Sequence, residues 1–170
     1  MMGGTPVPAP PARQHAPPGG STGQPRVIRV LLAEDVTVVR DTLAALLGLE
    51  PDIEVTAALA SGDQIVPAAL AQRPDVALLD VGLPGTSGLT AAAELARDLP
   101  VCKVVILTGL EASGNLDAAL RAGARGFLLK DVPAQDLITA VRAAARGEQI
   151  IDPRLADALP DSGEGSEQAR

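Results

Sequence analysis

Five polar side chains stand at the ends of apolar runs in this sequence. They are Glu34 and Asp35 after the first run, Asp80 at the end of the third, Thr108 at the end of the fourth and Lys130 at the end of the fifth. The rest of each run is apolar, so packing does not require these groups. If the runs are parallel strands, their carboxyl ends meet at one edge of a sheet, where open α/β sheets bind ligands. The pattern therefore predicts a polar site at that edge.

Three carboxylates at one edge repel each other unless a cation lies between them. Oxygen-only ligands favour Mg²⁺, and Lys130 adds a second positive charge. This set suits phosphoryl transfer, with Asp80 as the nucleophile and Thr108 and Lys130 holding phosphoryl oxygens. Gly82, in the Gly- and Pro-rich segment after Asp80, could add a backbone carbonyl as a metal ligand. Each residue alone is ordinary at a strand end or turn, so the prediction depends on all of them sharing one edge.

The elements that would position these groups alternate strictly along the chain. Short apolar runs rich in β-branched residues indicate strands covered on both faces, and the stretches between them have the three- and four-residue apolar spacing of helices. Strands are predicted at 27–33, 53–58, 75–80, 103–108 and 125–130, and helices at 38–48, 62–72, 88–98, 113–122 and 133–146. Pro133 suits the first turn of the last helix and Gly147 its end.

Five strand–helix units predict an α/β fold of the flavodoxin-like, doubly wound kind. The expected sheet is five-stranded and parallel, in the order 2-1-3-4-5, with helices on both faces.

Composition separates tails from the domain. Residues 1–25 hold seven of the fifteen prolines and few large aliphatic residues, which predicts a disordered tail. Residues 26–152 form the expected domain. Residues 153–170 are predicted to be a helix end followed by a linker-like tail.

The charge and hydropathy patterns exclude several function classes. The net charge is −7 and the arginines are scattered, which argues against direct nucleic-acid binding. No apolar run approaches the roughly 18 residues of a membrane span, and the N-terminal residues lack the apolar centre of a signal peptide. We therefore expect a cytoplasmic protein that binds neither nucleic acid nor membrane directly.

Four segments resemble the receiver domain of two-component response regulators. The resemblance covers roughly residues 27–150 and is closest to the NarL/FixJ subfamily, whose members usually continue into a LuxR-type helix-turn-helix DNA-binding domain. The segments are LLAEDVTVVRDTL, DVALLDVGLPGTSGL, VVILTG and GARGFLLKDVPAQDL.

The resemblance implies a CheY-like fold and a phosphoacceptor signalling domain rather than an enzyme acting on a separate substrate. A sensor histidine kinase would phosphorylate Asp80, and a phosphorylation-dependent homodimer would follow. The chain would catalyse only its own phosphoryl transfer and slow autodephosphorylation. In relatives, an aromatic residue of the fifth strand moves with the Thr of the fourth. Here that aromatic is Phe127, the only one in the chain, and Thr108 is its partner in the expected switch. Glu34, Asp35, Asp80 and Gly82 would bind Mg²⁺.

The sequence departs from the family pattern in three places. Leu83 and Ser87 replace the more usual Met and Asp of the segment after the acceptor, and neither change removes a chemically required group. Asp131 follows Lys130 where many receivers have Pro, as in the DNA-binding subfamily. No helix-turn-helix pattern follows the last helix within these 170 residues.

Three other interpretations fit less well. A phosphatase of the haloacid dehalogenase type would need a second Asp two residues after the nucleophile, where Gly82 stands. A dinucleotide-binding module would need a Gly-rich turn after the first strand, where Glu34 and Asp35 stand. A degenerate receiver that serves only as an interaction domain is disfavoured by the intact Asp80, Thr108 and Lys130.

Overall fold

A parallel sheet of six strands forms the centre of the molecule. The computed structural model describes residues 26–109 and 114–156. The strands lie in the order β2-β1-β3-β4-β5-β6, and every neighbouring pair is parallel. The strands are β1 (Ile28–Ala33), β2 (Ile53–Leu59), β3 (Val76–Asp80), β4 (Lys103–Thr108), β5 (Gly126–Leu129) and β6 (Ile150–Ile151).

Helices cover both faces of the sheet. The helices α1 and α5 pack on one face, and α2, α3, α4 and α6 pack on the other. They are α1 (Thr37–Gly48), α2 (Ile65–Gln72), α3 (Gly88–Asp98), α4 (Leu116–Arg121), α5 (Ala134–Ala145) and α6 (Pro153–Ala156). None of these helices is long and apolar enough to cross a membrane, as judged over the described residues.

The predicted fold is confirmed except at the sheet edge beyond β5. The order 2-1-3-4-5 is present, but the prediction of five strands was wrong because β6 pairs with β5. A strand of two residues is too short for any alternation to show in the sequence. The stretch predicted as one helix at 62–72 begins as a 3₁₀ turn, Gly62–Gln64, before α2.

The central strands are apolar because they are buried on both faces. Every residue of β3 is buried, including the terminal Asp80. Each large aliphatic side chain removed from water stabilises the fold by roughly 1.5–3 kcal/mol. That burial holds the strand ends at fixed positions, and the polar residues at those ends are fixed with them.

Local signals set the ends of two helices beside the site. Ser87 caps the N-terminus of α3, and its hydroxyl accepts a hydrogen bond from the Thr90 amide at 3.1 Å. Pro133 immediately precedes α5, one residue earlier than the predicted first-turn position. Gly147 follows α5 with φ of +84°, the left-handed conformation expected after a helix end.

Candidate functional site

Three carboxylates converge at the carboxyl ends of the neighbouring strands β1 and β3. One oxygen from each of Glu34, Asp35 and Asp80 lies within 4.8 Å of the others. Glu34 is 2% exposed and Asp80 5% exposed, whereas Asp35 faces solvent. Arg40 in the first turn of α1 donates a hydrogen bond of 2.8 Å to the backbone carbonyl of Glu34, which fixes the loop after β1. The structure thus brings these three predicted residues together at one edge of the sheet.

Lys130 places its ammonium between the two buried carboxylates. Its Nζ lies 3.0 Å from Oδ2 of Asp80 and 3.1 Å from both carboxylate oxygens of Glu34. Burial disfavours the charged ammonium, but the hydrogen bonds to Asp80 and Glu34 outweigh that effect and raise the pKa of Lys130. Lys130 therefore stays charged at neutral pH and supplies a fixed positive charge beside Asp80.

Glu34 carries the strongest perturbation in the site. Burial, with the close approach of Asp80, raises the pKa of Glu34 to about 7, although Lys130 acts in the opposite direction. A carboxyl in this setting binds a proton near neutral pH because one lysine does not neutralise two buried carboxylates. The site therefore favours a further cation.

Thr108 lies at the end of β4, beside β5. It is buried, and its hydroxyl donates a hydrogen bond of 3.2 Å to the carbonyl of Gly109. Its own carbonyl accepts from the amide of Lys130 at 2.8 Å, which ties the ends of β4 and β5 together. The hydroxyl would have to turn from Gly109 to reach a group on Asp80.

Phe127 is 0% exposed and belongs to the core cluster of the face that α3 and α4 cover. The resemblance implies that this ring moves together with Thr108 on phosphorylation, but the ring is already fully buried. Leu155 of α6 belongs to the same cluster, and Ile151 of β6 packs against it. These residues cover β5, so the movement of the ring stays a prediction, and any such movement has to be compatible with the packing of β6 and α6.

Residues 81–87 connect Asp80 to α3, and we call them the acceptor loop. The amide of Gly82 donates a hydrogen bond of 3.3 Å to Oδ1 of Asp80, so this glycine lies against the acceptor carboxylate. At the far end of the loop, the Gly88 amide donates to the Val81 carbonyl at 3.1 Å. The loop therefore folds back on itself directly beside the carboxylates.

Sequence reasoning missed two groups of polar residues near the site. Ser61 and Asp63, at the start of the turn before α2, bind the acceptor loop. Asp152 and Arg154, around the start of α6, form an ion pair at 2.9 Å, and Arg154 also reaches Asp131 beside Lys130 at 2.9 Å. Polar residues in loops follow no period, so no pattern indicated either group. The one usable signal was the pair Asp152-Pro153, typical of a helix start.

Comparison with known proteins identifies the family. The profile of the response regulator receiver domain matches residues 30–142. The chain belongs to this family. The matched residues begin within β1 and include the acidic pair that follows it, Asp80, Thr108 and Lys130, so the resemblance found in the sequence is confirmed.

Individual relatives agree with this assignment. The receiver is 38% identical over 133 residues to the transcriptional regulatory protein DesR of Bacillus subtilis, covering 78% of this chain and 66% of DesR. It is 42% identical over 124 residues to the uncharacterized transcriptional regulatory protein YxjL of the same organism, covering 73% of this chain and 57% of YxjL. The chain thus spans between 57% and 66% of the length of these two relatives.

A solved structure supports the similarity to the NarL subfamily. The signal receiver domain of the putative response regulator NarL from Mycobacterium tuberculosis superimposes with a TM-score of 0.70 at 30% identity, covering 73% of this chain and all of that domain. The receiver is therefore similar in sequence and fold to receivers of the NarL type.

Proposed function

We propose that this chain is the phosphoacceptor domain of a two-component response regulator, and that Asp80 accepts a phosphoryl group from a sensor histidine kinase. The observation that carries the proposal is the setting of Asp80. Its carboxylate lies at the sheet edge within 4.8 Å of oxygens of Glu34 and Asp35 and 3.0 Å from the Lys130 ammonium. A nucleophilic carboxylate beside a fixed ammonium, with further carboxylates that can hold a divalent cation, is the arrangement that in-line phosphoryl transfer uses.

The transfer balances without a further reactant. A carboxylate oxygen of Asp80 forms a bond to phosphorus while the bond from phosphorus to the kinase imidazole nitrogen breaks. The imidazole leaves and takes up a proton, and an acyl phosphate remains on Asp80. Lys130 neutralises part of the charge of the acyl phosphate, which carries about one to two negative charges where the carboxylate carried one. The domain thus catalyses only its own phosphorylation and slow autodephosphorylation.

The donor set fits Mg²⁺. Glu34, Asp35 and Asp80 supply carboxylate oxygens, and the backbone carbonyl of Gly82 would be a further ligand, so the ligands are oxygen only, as this ion prefers. When bound, the ion neutralises charge on the phosphoryl oxygens. The raised pKa of Glu34 supports the assignment, because two buried carboxylates facing one lysine leave negative charge unbalanced.

The output follows from Thr108. Its hydroxyl would turn from Gly109 toward the new phosphoryl oxygens, and the space around Phe127 would change with it. Such a change would bias two packings of the surface near β5 and favour a homodimer. The relatives are named as transcriptional regulatory proteins, so in a longer regulator of that kind the dimer would control transcription in the cytoplasm. We assign residues 26–152 to the receiver unit, with α6 packed against it.

The test is phosphorylation of the whole chain by acetyl phosphate and Mg²⁺, followed by intact-mass measurement. Wild type should gain one phosphoryl group, and Asp80→Asn should gain none because the nucleophilic oxygen is replaced by an amide. Asp98→Asn is the matched control, since Asp98 is exposed and pairs with its neighbour Arg97. Equal labelling of Asp80→Asn and wild type would refute Asp80 as the acceptor.

A further inference from the structure

We propose that Asp63 is a positioning residue that holds the acceptor loop in the geometry needed for metal binding. The proposal rests on the proposed function, since it concerns the Mg²⁺ site assigned to Gly82 and the carboxylates. Asp63 lies in the 3₁₀ turn between β2 and α2. It is assigned no contact with the ion or with the phosphoryl group, and it acts through the loop.

Four hydrogen bonds join this turn to the acceptor loop. Oδ1 of Asp63 accepts from both the amide and the hydroxyl of Thr86, at 3.0 and 2.6 Å. One residue earlier, the Gly62 amide donates to the carbonyl of Pro84 at 3.0 Å. The hydroxyl of Ser61 donates to the same carbonyl at 3.2 Å. We call these contacts the loop clasp.

Two glycines allow the clasp to close. A Cβ on Gly62 would lie 1.5 Å from the carbonyl oxygen of Thr86, and a Cβ on Gly85 would lie 2.2 Å from Oδ2 of Asp63. Gly85 also has φ of +77°, a conformation that favours glycine. A side chain at either glycine would therefore prevent the two loops from approaching this closely. Two surface loops that touched only by chance would not need glycine at both positions.

The loop clasp holds the middle of the acceptor loop, because both ends of that loop are fixed by other contacts. The ends are fixed by β3 and by the Ser87 cap of α3. The segment between them carries Gly82, whose amide contacts Asp80 and whose carbonyl is the proposed ligand. Removing a group that orients a metal ligand typically costs 10–100-fold in metal affinity. Loss of the clasp should therefore weaken Mg²⁺ binding without removing any ligand.

The experiment measures Mg²⁺ affinity of the whole chain by calorimetric titration with the metal alone. It also measures the Mg²⁺ concentration that gives the half-maximal rate of phosphorylation by acetyl phosphate. Asp63→Ala should weaken Mg²⁺ binding about tenfold and raise the half-maximal concentration by a similar factor, while the rate at saturating Mg²⁺ changes much less. If Asp63 served only overall stability, its loss would not raise the half-maximal Mg²⁺ concentration while leaving the rate at saturating Mg²⁺ nearly unchanged.

Two variants distinguish the clasp from loss of charge. Asp63→Asn keeps an oxygen that can accept both Thr86 hydrogen bonds, so it should bind Mg²⁺ within about twofold of wild type. Asp98→Ala removes an exposed carboxylate at the opposite end of α3 and should also bind normally. If Asp63→Asn is as weak as Asp63→Ala, the effect is electrostatic and the proposal is wrong.

The outcomes separate this proposal from the proposed function. Unchanged Mg²⁺ affinity in Asp63→Ala, with Asp80 phosphorylated normally in wild type, overturns the clasp alone. Failure of wild type to accept phosphate overturns the proposed function, while the affinity comparison still decides the clasp. If Asp63→Ala does not fold, Thr86→Val replaces it, since Val keeps the shape and the amide but removes the hydroxyl donor. On a logarithmic scale, Thr86→Val should weaken Mg²⁺ binding by about half as much as expected for Asp63→Ala. A Thr86→Val variant that binds Mg²⁺ as tightly as wild type would reject the clasp.

Discussion

The behaviour of Glu34 depends on the balance of charge among three buried or half-buried groups. Glu34 and Asp80 share the Lys130 ammonium, so one carboxylate charge is left without a partner. Protonation of Glu34 near pH 7 relieves that repulsion. A divalent cation relieves it in another way, because it binds the ionised form. Protons and Mg²⁺ should therefore compete at this residue.

We predict that the metal-free chain loses stability as pH rises. The folded-state pKa of Glu34, about 7, lies above its ordinary value of 4.5. Between these values the folded state holds a proton that the unfolded state releases, so the free energy of unfolding falls with rising pH. The loss should be on the order of 3 kcal/mol, since one pKa unit corresponds to about 1.4 kcal/mol. Urea unfolding in EDTA from pH 4.5 to 8 measures it.

Glu34→Gln is the control for this prediction. The amide does not titrate, so the pH dependence across this window should flatten. Added Mg²⁺ should stabilise wild type more at pH 8 than at pH 5.5 and should have little effect on the variant. A pH profile that is the same in wild type and Glu34→Gln would show that another group titrates.

At the residue scale, the sequence predicted the site residues at the strand ends. It missed the polar residues that hold the neighbouring loops in place. Asp80 and Lys130 were found because a polar residue closing an apolar run contrasts with its neighbours. Asp63 and Arg40 have no such contrast, since polar residues are common in turns and on helix surfaces. Their roles depend on which loops the fold brings together, and that information is not local in the sequence.

The elements β6 and α6 extend the receiver beyond the last predicted helix. The amides of Ile150 and Asp152 donate to the carbonyls of Arg125 and Phe127, each at 2.8 Å, which attaches the segment to β5. Asp152 is buried and accepts from the backbone amides of Leu129 and Arg154. The segment is therefore fixed at both its strand and its helix.

We predict that Leu155→Ala destabilises the domain by about 2–4 kcal/mol. Leu155 is 2% exposed and lies in the core cluster that contains Phe127, so its truncation leaves a cavity against β5. Urea unfolding, with the slope checked against wild type, measures the loss. Val101→Ala is the control, because Val101 is 66% exposed and should change stability by less than about 0.5 kcal/mol. A Leu155→Ala variant as stable as wild type would mean that α6 does not pack in solution.

The order of the elements was predictable because each central strand is buried on both faces. That burial imposes continuous apolar runs, as in Val76–Asp80, and the helices between them show their own period. The segment Ile150–Ile151 is different, since two apolar residues before Asp152-Pro153 are equally typical of a loop. Its pairing with β5 depends on an edge strand being free to accept it, which is a property of the assembled sheet.

If Asp80 is the acceptor we propose, the whole molecule has to couple it to a distant surface. In the proposed switch the link would run from Asp80 at the end of β3 to Thr108 on β4 and then to Phe127 on β5, which pairs with Ile106. Because Ile151 pairs with Phe127 across the strands and Leu155 belongs to the same core cluster, we expect movement of the Phe127 ring to shift Ile151 or Leu155 as well. Phosphorylation should therefore change the attachment of the C-terminal segment as well as the face formed by α4, β5 and α5.

We predict that beryllofluoride with Mg²⁺, a mimic of the phosphoryl group, shifts the chain from monomer toward dimer in sedimentation velocity experiments. A coupling of about 1–3 kcal/mol shifts a population rather than creating a new fold, so both species should be visible at micromolar concentration. Asp80→Asn should stay monomeric.

Phe127→Leu tests the ring more gently than Phe127→Ala, which would leave a large cavity in a fully buried site. If the ring transmits the change, Phe127→Leu should bind beryllofluoride but dimerise less. Dimerisation equal to wild type would show that Phe127 only packs, and a wild type that stays monomeric at saturating beryllofluoride would refute the dimer itself.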